Sequence, residues 1–586
     1  MPAVRRARDG VSGDQAGLTP GDEAAAPGGG AGLGYRLRSM SPAGLAILIA
    51  TVLALALRLF LVTRSGFLTS GTVEYDDGVY LGAALRLLHG ALPYKDYAFV
   101  QPPGIVVVAL PGALAGSLTS QATGLAVVRV LSVLARTACV PLAGRLLRYR
   151  GALACAVAAG LLAVYPADVL SGRTLLLEPW MNLACLLAAN LAFRDGRLAS
   201  PRWLAWAGVA FGCGVAIKFW AAVPAAVLLA VCLIARPQVG ASRARRAGAL
   251  VGGAVGGFAV LAGPFALADP AGFVRETLLD QVSRVGSYTP VSLRLAHLTG
   301  LIDVLGRNGK VAGPGTTTHS LFAMGAEAST HTVAVGWPAY AAAAVGIALI
   351  AAGYLSGLRQ RTPLEWFALV TAVLATAAIM GYSAFFYHYP DFPAPWLAIA
   401  VGAAVGSLAC LIQGHHLAGG RPLISAEGAR ARLARRVLAA AVAVVILAIA
   451  GIEARELAPA HVPASPSNVS ALVPAGSCLV ADQVSFAIAA NRFAAPSAGC
   501  PDLVDSLAAT LALSGGVSPQ GGAGHAPKVV AGWEAIFAQA RYVWLSGGAP
   551  ARIPWTPALQ SWFSAHFRLL AAFPGYGASK LYVRDQ

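Results

Sequence analysis

The chain has 586 residues, of which 57% are hydrophobic and only 12% charged, with a formal net charge of +17. Soluble domains carry about 25% charged residues, so this composition, with its long apolar runs, excludes a soluble globular protein and indicates a polytopic α-helical membrane protein. The arginines cluster in short loops between apolar runs, as the positive-inside rule expects, so the positive charge calls for no nucleic-acid partner.

Residues 1–40, rich in Gly, Ala, Pro and mixed charge, cannot bury a core and read as a disordered cytoplasmic tail without a cleavable signal. The membrane domain is expected over 41–457. Pro42 to Val62 is the first span, and residues 63–122 form the first outer loop. This loop holds Asp76 and Asp77, then two amphipathic segments, Ala83 to His89 and Gly104 to about Ser117, expected to lie along the membrane surface. Thr123 to Leu147 crosses next, because only then do Arg145, Arg148 and Arg150 fall inside.

The alternation then continues. Gly151 to Leu170 goes out and Trp180 to Phe193 returns. Trp203 to Ala235, too long for one span, splits into two short helices with an outer turn near Lys218. Ala247 to Leu267 goes out, and Asp269 to about His331 reads as a long polar outer loop. Thr332 to Leu355 returns, Pro363 to Phe385 goes out, Phe392 to Ile412 returns and Val437 to Leu457 is last. The pattern predicts about 11 spans, with every strongly basic loop on one side. His415 and His416 fall in an inner loop as solvated residues.

Residues 458–586 read as a small extracytoplasmic α/β domain. Strands are predicted at Cys478–Ala481, Tyr542–Leu545 and Lys580–Val583, helices at Trp533–Ala540 and Thr556–Phe567, and a flexible loop at Gly515–Gly524. Of 8 cysteines, six lie in apolar segments as core residues. Cys478 and Cys500 stand in the outer domain, where an oxidising compartment favours a disulfide. Asp482 and Asp505 read as surface or capping residues.

The predicted topology gathers ionisable groups on the outer side: Asp76, Asp77 and Lys95; Arg173 and Glu178; Lys218; and Tyr387, His388 and Tyr389. Carboxylates and cations near a bilayer edge imply a polar cavity. A carboxylate can orient or deprotonate an acceptor hydroxyl, and Lys or Arg can hold a phosphate leaving group. Each residue also has a structural alternative. Asp76–Asp77 suits a helix cap, Lys95–Asp96 a surface turn, Glu178 a cap, Arg173 a headgroup contact and His388 an aromatic belt.

Several motifs occur in order: Tyr75-Asp76-Asp77-Gly78-Val79-Tyr80, Gly90-Ala91-Leu92-Pro93-Tyr94-Lys95-Asp96, Pro102-Pro103-Gly104, Arg173 to Pro179, Gly214 to Lys218 and His388-Tyr389-Pro390. Together they resemble the GT-C membrane glycosyltransferases, a group that includes protein O-mannosyltransferases and lipid A aminoarabinose transferases. The resemblance implies that Asp76 is the essential carboxylate, with Asp77 and Glu178 as further acids. Lys95, Arg173 and Lys218 would hold the donor phosphate. Tyr75, Tyr80, Gln101, Tyr387, His388 and Tyr389 would line the substrate site. Gln101 stands where the aminoarabinose transferases carry Lys, which disfavours their donor.

The implied reaction is inverting sugar transfer from a polyprenyl-phosphate donor to an envelope glycan, lipid or protein acceptor, without a nucleotide cofactor. A divalent metal is left open, with Asp76 and Asp77 as its ligands if one binds. The richness in Ala, Gly and Arg points to a bacterial plasma membrane, with the N-terminus cytoplasmic. A transporter or lipid-linked flippase is the alternative; against it stand the lack of internal repeats and the placing of the ionisable groups in outer loops.

Overall fold

The computed structural model describes residues 40–585, apart from 65, 237–241, 284–288, 290, 301–323, 359–360, 383–384, 413–416, 419–420, 423–428, 458–467, 494–498 and 548–551. The N-terminal tail and the pair His415–His416 lie outside the described residues. The first half is a run of helices: α1 (Pro42–Val62), α2 (Tyr75–Leu88), α3 (Gly104–Leu118), α4 (Gln121–Leu146), α5 (Ala152–Val164), α6 (Pro166–Ser171), α7 (Leu177–Ala192), α8 (Pro201–Ile217), α9 (Ala222–Ile234) and α10 (Arg243–Ala268). Then come α11 (Pro270–Val274), α12 (Asp280–Ser283), α13 (Val291–Leu298), α14 (Met324–Leu355), α15 (Pro363–Gly381), α16 (Ala394–Ile412) and α17 (Ala429–Glu456). Among the described residues six helices are long and apolar enough to cross a membrane: α1, α4, α10, α15, and most of α16 and α17. Shorter apolar helices, α3 and α5 among them, accompany them.

Local chemistry sets the breaks. Tyr165 precedes Pro166 and is extended (φ −74°, ψ 122°), so the stretch expected as one span over Gly151–Leu170 divides into α5 and α6. Lys218 is extended (φ −151°, ψ 128°) and separates α8 from α9. The expected polar loop from Asp269 is instead helical in part. Its residues Phe273, Glu276 and Thr277 are buried, and Glu276 accepts the Phe99 N–H at 2.8 Å. Amphipathic spacing in that stretch buries one face against the first loop, which average polarity concealed.

The C-terminal part holds a four-stranded sheet of β1 (Leu479–Ala481), β2 (Tyr542–Leu545), β3 (Phe567–Phe573) and β4 (Ser579–Arg584) in the order β1-β2-β4-β3. The β1–β2 pair is parallel and the others antiparallel, with Val480 opposite Val543 and Trp544 opposite Leu581. Helices α18 (Val469–Leu472), α19 (Val484–Ala489), α20 (Ser506–Ser514), α21 (Pro527–Gln539) and α22 (Pro557–His566) surround it. Strand β3 was not expected. FRLLAAF lacks strict alternation, and it is an edge strand with a bulge between Leu569 and Ala571. The expected flexible loop Gly515–Gly524 contains two 3-10 turns, Pro519–Gly521 and Ala523–His525. Cys478 and Cys500 are joined, with Cα atoms 5.5 Å apart.

Helix α2 was expected to lie on lipid from Ala83. It begins at Tyr75, and Gly78–Arg86 are all buried. The C-terminal domain covers it. A Cβ on Gly78 would stand 2.1 Å from the Ser485 backbone nitrogen, and one on Gly82 would stand 3.2 Å from a Val484 methyl. Gly78 is therefore the point of close approach between α2 and α19.

Candidate active site

Glu74 is the N-cap of α2, extended at φ −150°, and its Oε1 accepts the Tyr75 N–H at 2.9 Å. Its Oε2 accepts the Tyr387 hydroxyl at 2.5 Å. The acid run thus begins one residue before the pair singled out from the sequence, and Asp76–Asp77 occupy the first turn rather than the cap. Carboxylates there are favoured by the helix dipole.

The two aspartates differ completely in surroundings. Asp77 is fully buried. Its Oδ2 accepts from Arg129 Nε at 2.9 Å and Nη2 at 2.6 Å, and its Oδ1 accepts the Leu175 N–H at 2.5 Å. Arg129 also donates to the Phe67 carbonyl at 2.5 Å. The side chain expected as a second catalytic acid is fully buried, with three donors on its two oxygens, and ties α2 to α4 and to the loop before α7. Asp76 is half-buried, whereas Glu74, Tyr75 and Asp77 are buried. Its Oδ2 accepts the Tyr80 hydroxyl at 3.4 Å. Burial, then the nearby Glu74 charge, raises the Asp76 carboxyl to about 7, against the lowering influence of His388. A group that titrates there can exchange a proton near neutral pH.

A second cluster is assembled from three elements. Glu178, in the first turn of α7, is fully buried and pairs with Lys218 from the α8–α9 break. It also lies 3.0 Å from Nδ1 of His388 in the loop before α16. Lys218 Nζ lies 3.7 Å from the Trp220 ring centroid and 4.7 Å from that of Tyr389. Burial opposes charge on His388, but Glu178 outweighs it and raises the imidazole above its ordinary value. Burial, and then the charges of Asp76, Glu178 and Asp505, raise the Tyr80 hydroxyl well above its ordinary value.

The loop carrying His388 is anchored below. Asp391 accepts from Arg136, from Ser171 Oγ at 2.5 Å and from Asn182 Nδ2 at 3.3 Å. Arg136 also pairs with Asp168, which pairs with Arg58. Sequence reading assigned none of these a role. Arginines at 58, 129 and 136 inside apolar helices were the available signal, since intramembrane charge must find a partner.

Other expected site residues fall elsewhere. Lys95 is exposed in a turn where Tyr94 has φ 70° and Asp96 accepts the Leu92 N–H at 2.7 Å. Among the described residues no hydrogen bond or ion pair joins Lys95 to Asp76. Gln101 is half-buried, and its carbonyl accepts the Tyr94 hydroxyl at 2.5 Å. Arg173 is buried, donates to the Leu457 carbonyl at 3.0 Å and lies 5.2 Å from the Phe67 ring centroid. The Tyr75 hydroxyl donates to Asp505 Oδ1 at 2.7 Å and accepts the Ser506 N–H at 3.1 Å. Asp505 caps α20 as expected of a capping residue, and also joins the C-terminal domain to α2. Among the described residues no group of three His, Cys, Asp or Glu side chains is arranged to hold a metal ion. The Asp76–Asp77 pair does not fit as joint ligands, because Arg129 and the Leu175 N–H take both Asp77 oxygens.

The family model of dolichyl-phosphate-mannose-protein mannosyltransferases matches residues 115–243. The structure is similar to that of ArnT from Cupriavidus metallidurans bound to undecaprenyl phosphate, with a TM-score of 0.55 and 14% identity over 92% of this chain and 97% of that one. The apo ArnT structure gives a TM-score of 0.54 and 13% identity over 91% and 97% of the respective chains. The oligosaccharyltransferase of Archaeoglobus fulgidus, complexed with Zn and sulfate, gives 0.49 and 15% identity over 92% of this chain and 73% of that one. No curated protein matches the chain. The fold of the chain is therefore that of the two ArnT structures.

Proposed function

We propose that this chain is an integral membrane glycosyltransferase that moves a sugar from a polyprenyl-phosphate donor to an envelope glycan, lipid or protein acceptor. The observation that carries the reading is the contrast within one helical turn: Asp77 is locked by Arg129 while Asp76 is left open, raised to about 7 and beside the Glu178–Lys218–His388 cluster. Asp76 accepts or orients the acceptor hydroxyl proton as the oxygen attacks the anomeric carbon. Glu178 holds Lys218 and His388 as a paired cationic group, which the anionic leaving phosphate can approach without meeting an unpaired carboxylate. The matching family of dolichyl-phosphate-mannose-protein mannosyltransferases and the similarity to ArnT bound to undecaprenyl phosphate fit a lipid-linked donor.

The site belongs on the extracytoplasmic face, in a plasma membrane crossed about 11 times. Two polar ends support this. Arg150 and Arg361, from two of the basic loops, converge on Glu365. The Asp77–Arg129 pair sits in the first half of α4, and Arg145 is 16 residues further along the same helix, about 24 Å at 1.5 Å per residue. The basic end is thus cytoplasmic, with the N-terminus, and the residues 458–586 are an extracytoplasmic domain.

Transfer from radiolabelled polyprenyl-phosphate sugars in membranes tests the reading. Labelled product is expected with the wild type and a loss of roughly a hundredfold or more with Asp76→Asn at equal protein level. Transfer unaffected by that substitution would sink it.

A further inference from the structure

Two of the three cations expected to hold the departing phosphate already have protein partners. Lys95 is exposed in its own turn, Lys218 is paired with Glu178, and Arg173 donates to the Leu457 carbonyl. Another cation reaches the site from the C-terminal domain. The guanidinium of Arg552 lies 3.4 Å from the centroid of the Tyr75 ring, next in sequence to Asp76. Among the described residues its buried Nη1 has no hydrogen-bond partner. A buried guanidinium N–H without an acceptor is costly, and such groups at a site mark a missing ligand.

Both halves of this contact are held firmly. The Arg552 carbonyl accepts from Thr510 Oγ1 at 2.9 Å, and the same Oγ1 accepts from the core residue Trp533 at 3.1 Å. The Tyr75 hydroxyl is fixed by Asp505 and the Ser506 N–H. Stacking on an aromatic face leaves the edge N–H groups of an arginine free to bind an oxyanion in the ring plane. We propose that Arg552 is a phosphate ligand of the active site, its Nη1 donating to a non-bridging oxygen of the lipid phosphate beside Asp76. The proposal rests on the lipid-phosphate donor read above and makes the C-terminal domain part of the site. Arg552 also favours the charged form of Asp76, which suits a base that must stay ionised while a phosphate is nearby.

The test reads binding. Full-length protein in lipid nanodiscs is titrated with polyprenyl phosphate and, separately, with neutral polyprenol. Arg552→Gln is expected to bind the phosphate roughly ten- to a hundredfold more weakly than the wild type, with polyprenol unchanged and Arg552→Lys recovering part of the loss. In the wild type, modification of Arg552 by an arginine-selective dicarbonyl, followed by peptide mass spectrometry, is expected to be blocked by polyprenyl phosphate and not by polyprenol. This second measurement stands even if the variants fail to fold. Wild-type affinity in Arg552→Gln, or modification that polyprenyl phosphate does not slow, overturns the assignment. A wild type that binds the phosphate no better than polyprenol also overturns it. Transfer assays with Asp76→Asn then tell separately whether the glycosyl-transfer reading survives.

Discussion

Removing the Asp77 charge strands Arg129, which is fully buried and has Asp77 as its carboxylate partner. Breaking a buried pair from one side costs about 3–5 kcal/mol. Asp77→Asn is therefore expected to lower the melting temperature of the detergent-solubilised protein clearly. Asp76→Asn, which breaks no ion pair, should leave it nearly unchanged while abolishing transfer. Equal melting temperatures for the two variants would contradict the division of roles. The pH profile follows from Asp76 with a definite sign. Its carboxyl is raised to about 7, and the working form is the carboxylate, so transfer should rise with pH through that value and fall below it. Glu74 contributes to the rise, so Glu74→Gln removes a like charge and should shift the acid limb to lower pH. A limb that stays in place in this variant would assign the titration to another group. The sequence marked Asp76, Glu178, Lys218 and His388 because ionisable residues stand out among apolar ones. It did not separate Asp76 from Asp77, since that separation depends on Arg129, 52 residues away in the chain.

At the scale of elements, helix α2 meets the outer domain most closely at one glycine. A Cβ at Gly78 would meet the Ser485 nitrogen at 2.1 Å and Cα at 2.7 Å, both backbone atoms that cannot rotate aside. Gly78→Ala should cost about 1–3 kcal/mol through overpacking. It should also displace Asp505 and Arg552 from Tyr75, so that transfer falls along with stability. Full activity in this variant would mean that the domain contact is not needed for the site. Helices such as α1, α4, α8 and α9 were legible because apolar periodicity and arginine-rich loops mark boundaries locally, whereas the early start of α2 and the break between α5 and α6 were not. The helical segments after Asp269 and strand β3 were not, because burial of Glu276 under Phe99 and pairing of β3 with β4 are tertiary events without a local composition signal.

For the whole molecule, the proposed orientation predicts labelling of intact cells by a membrane-impermeant thiol reagent. Lys95→Cys, in an exposed turn, should react from outside, whereas Arg197→Cys, exposed in the hairpin between α7 and α8, should react only after permeabilisation. The reverse pattern would invert the topology and place the site in the cytoplasm. Sequence alone determined that this chain is a multi-helix membrane protein and where its candidate site residues stand out, because hydrophobicity and charge act through the bilayer residue by residue, with no need of long-range contacts. Only the tertiary structure decided which charges are paired and which remain available. Asp77, Arg136, Asp168 and Asp391 find their partners across helices far apart in sequence. Arg552 reaches Tyr75 from a domain that begins after the last long helix. Low dielectric makes each such pairing decisive, since a charge there is either neutralised by a neighbour or kept for a substrate.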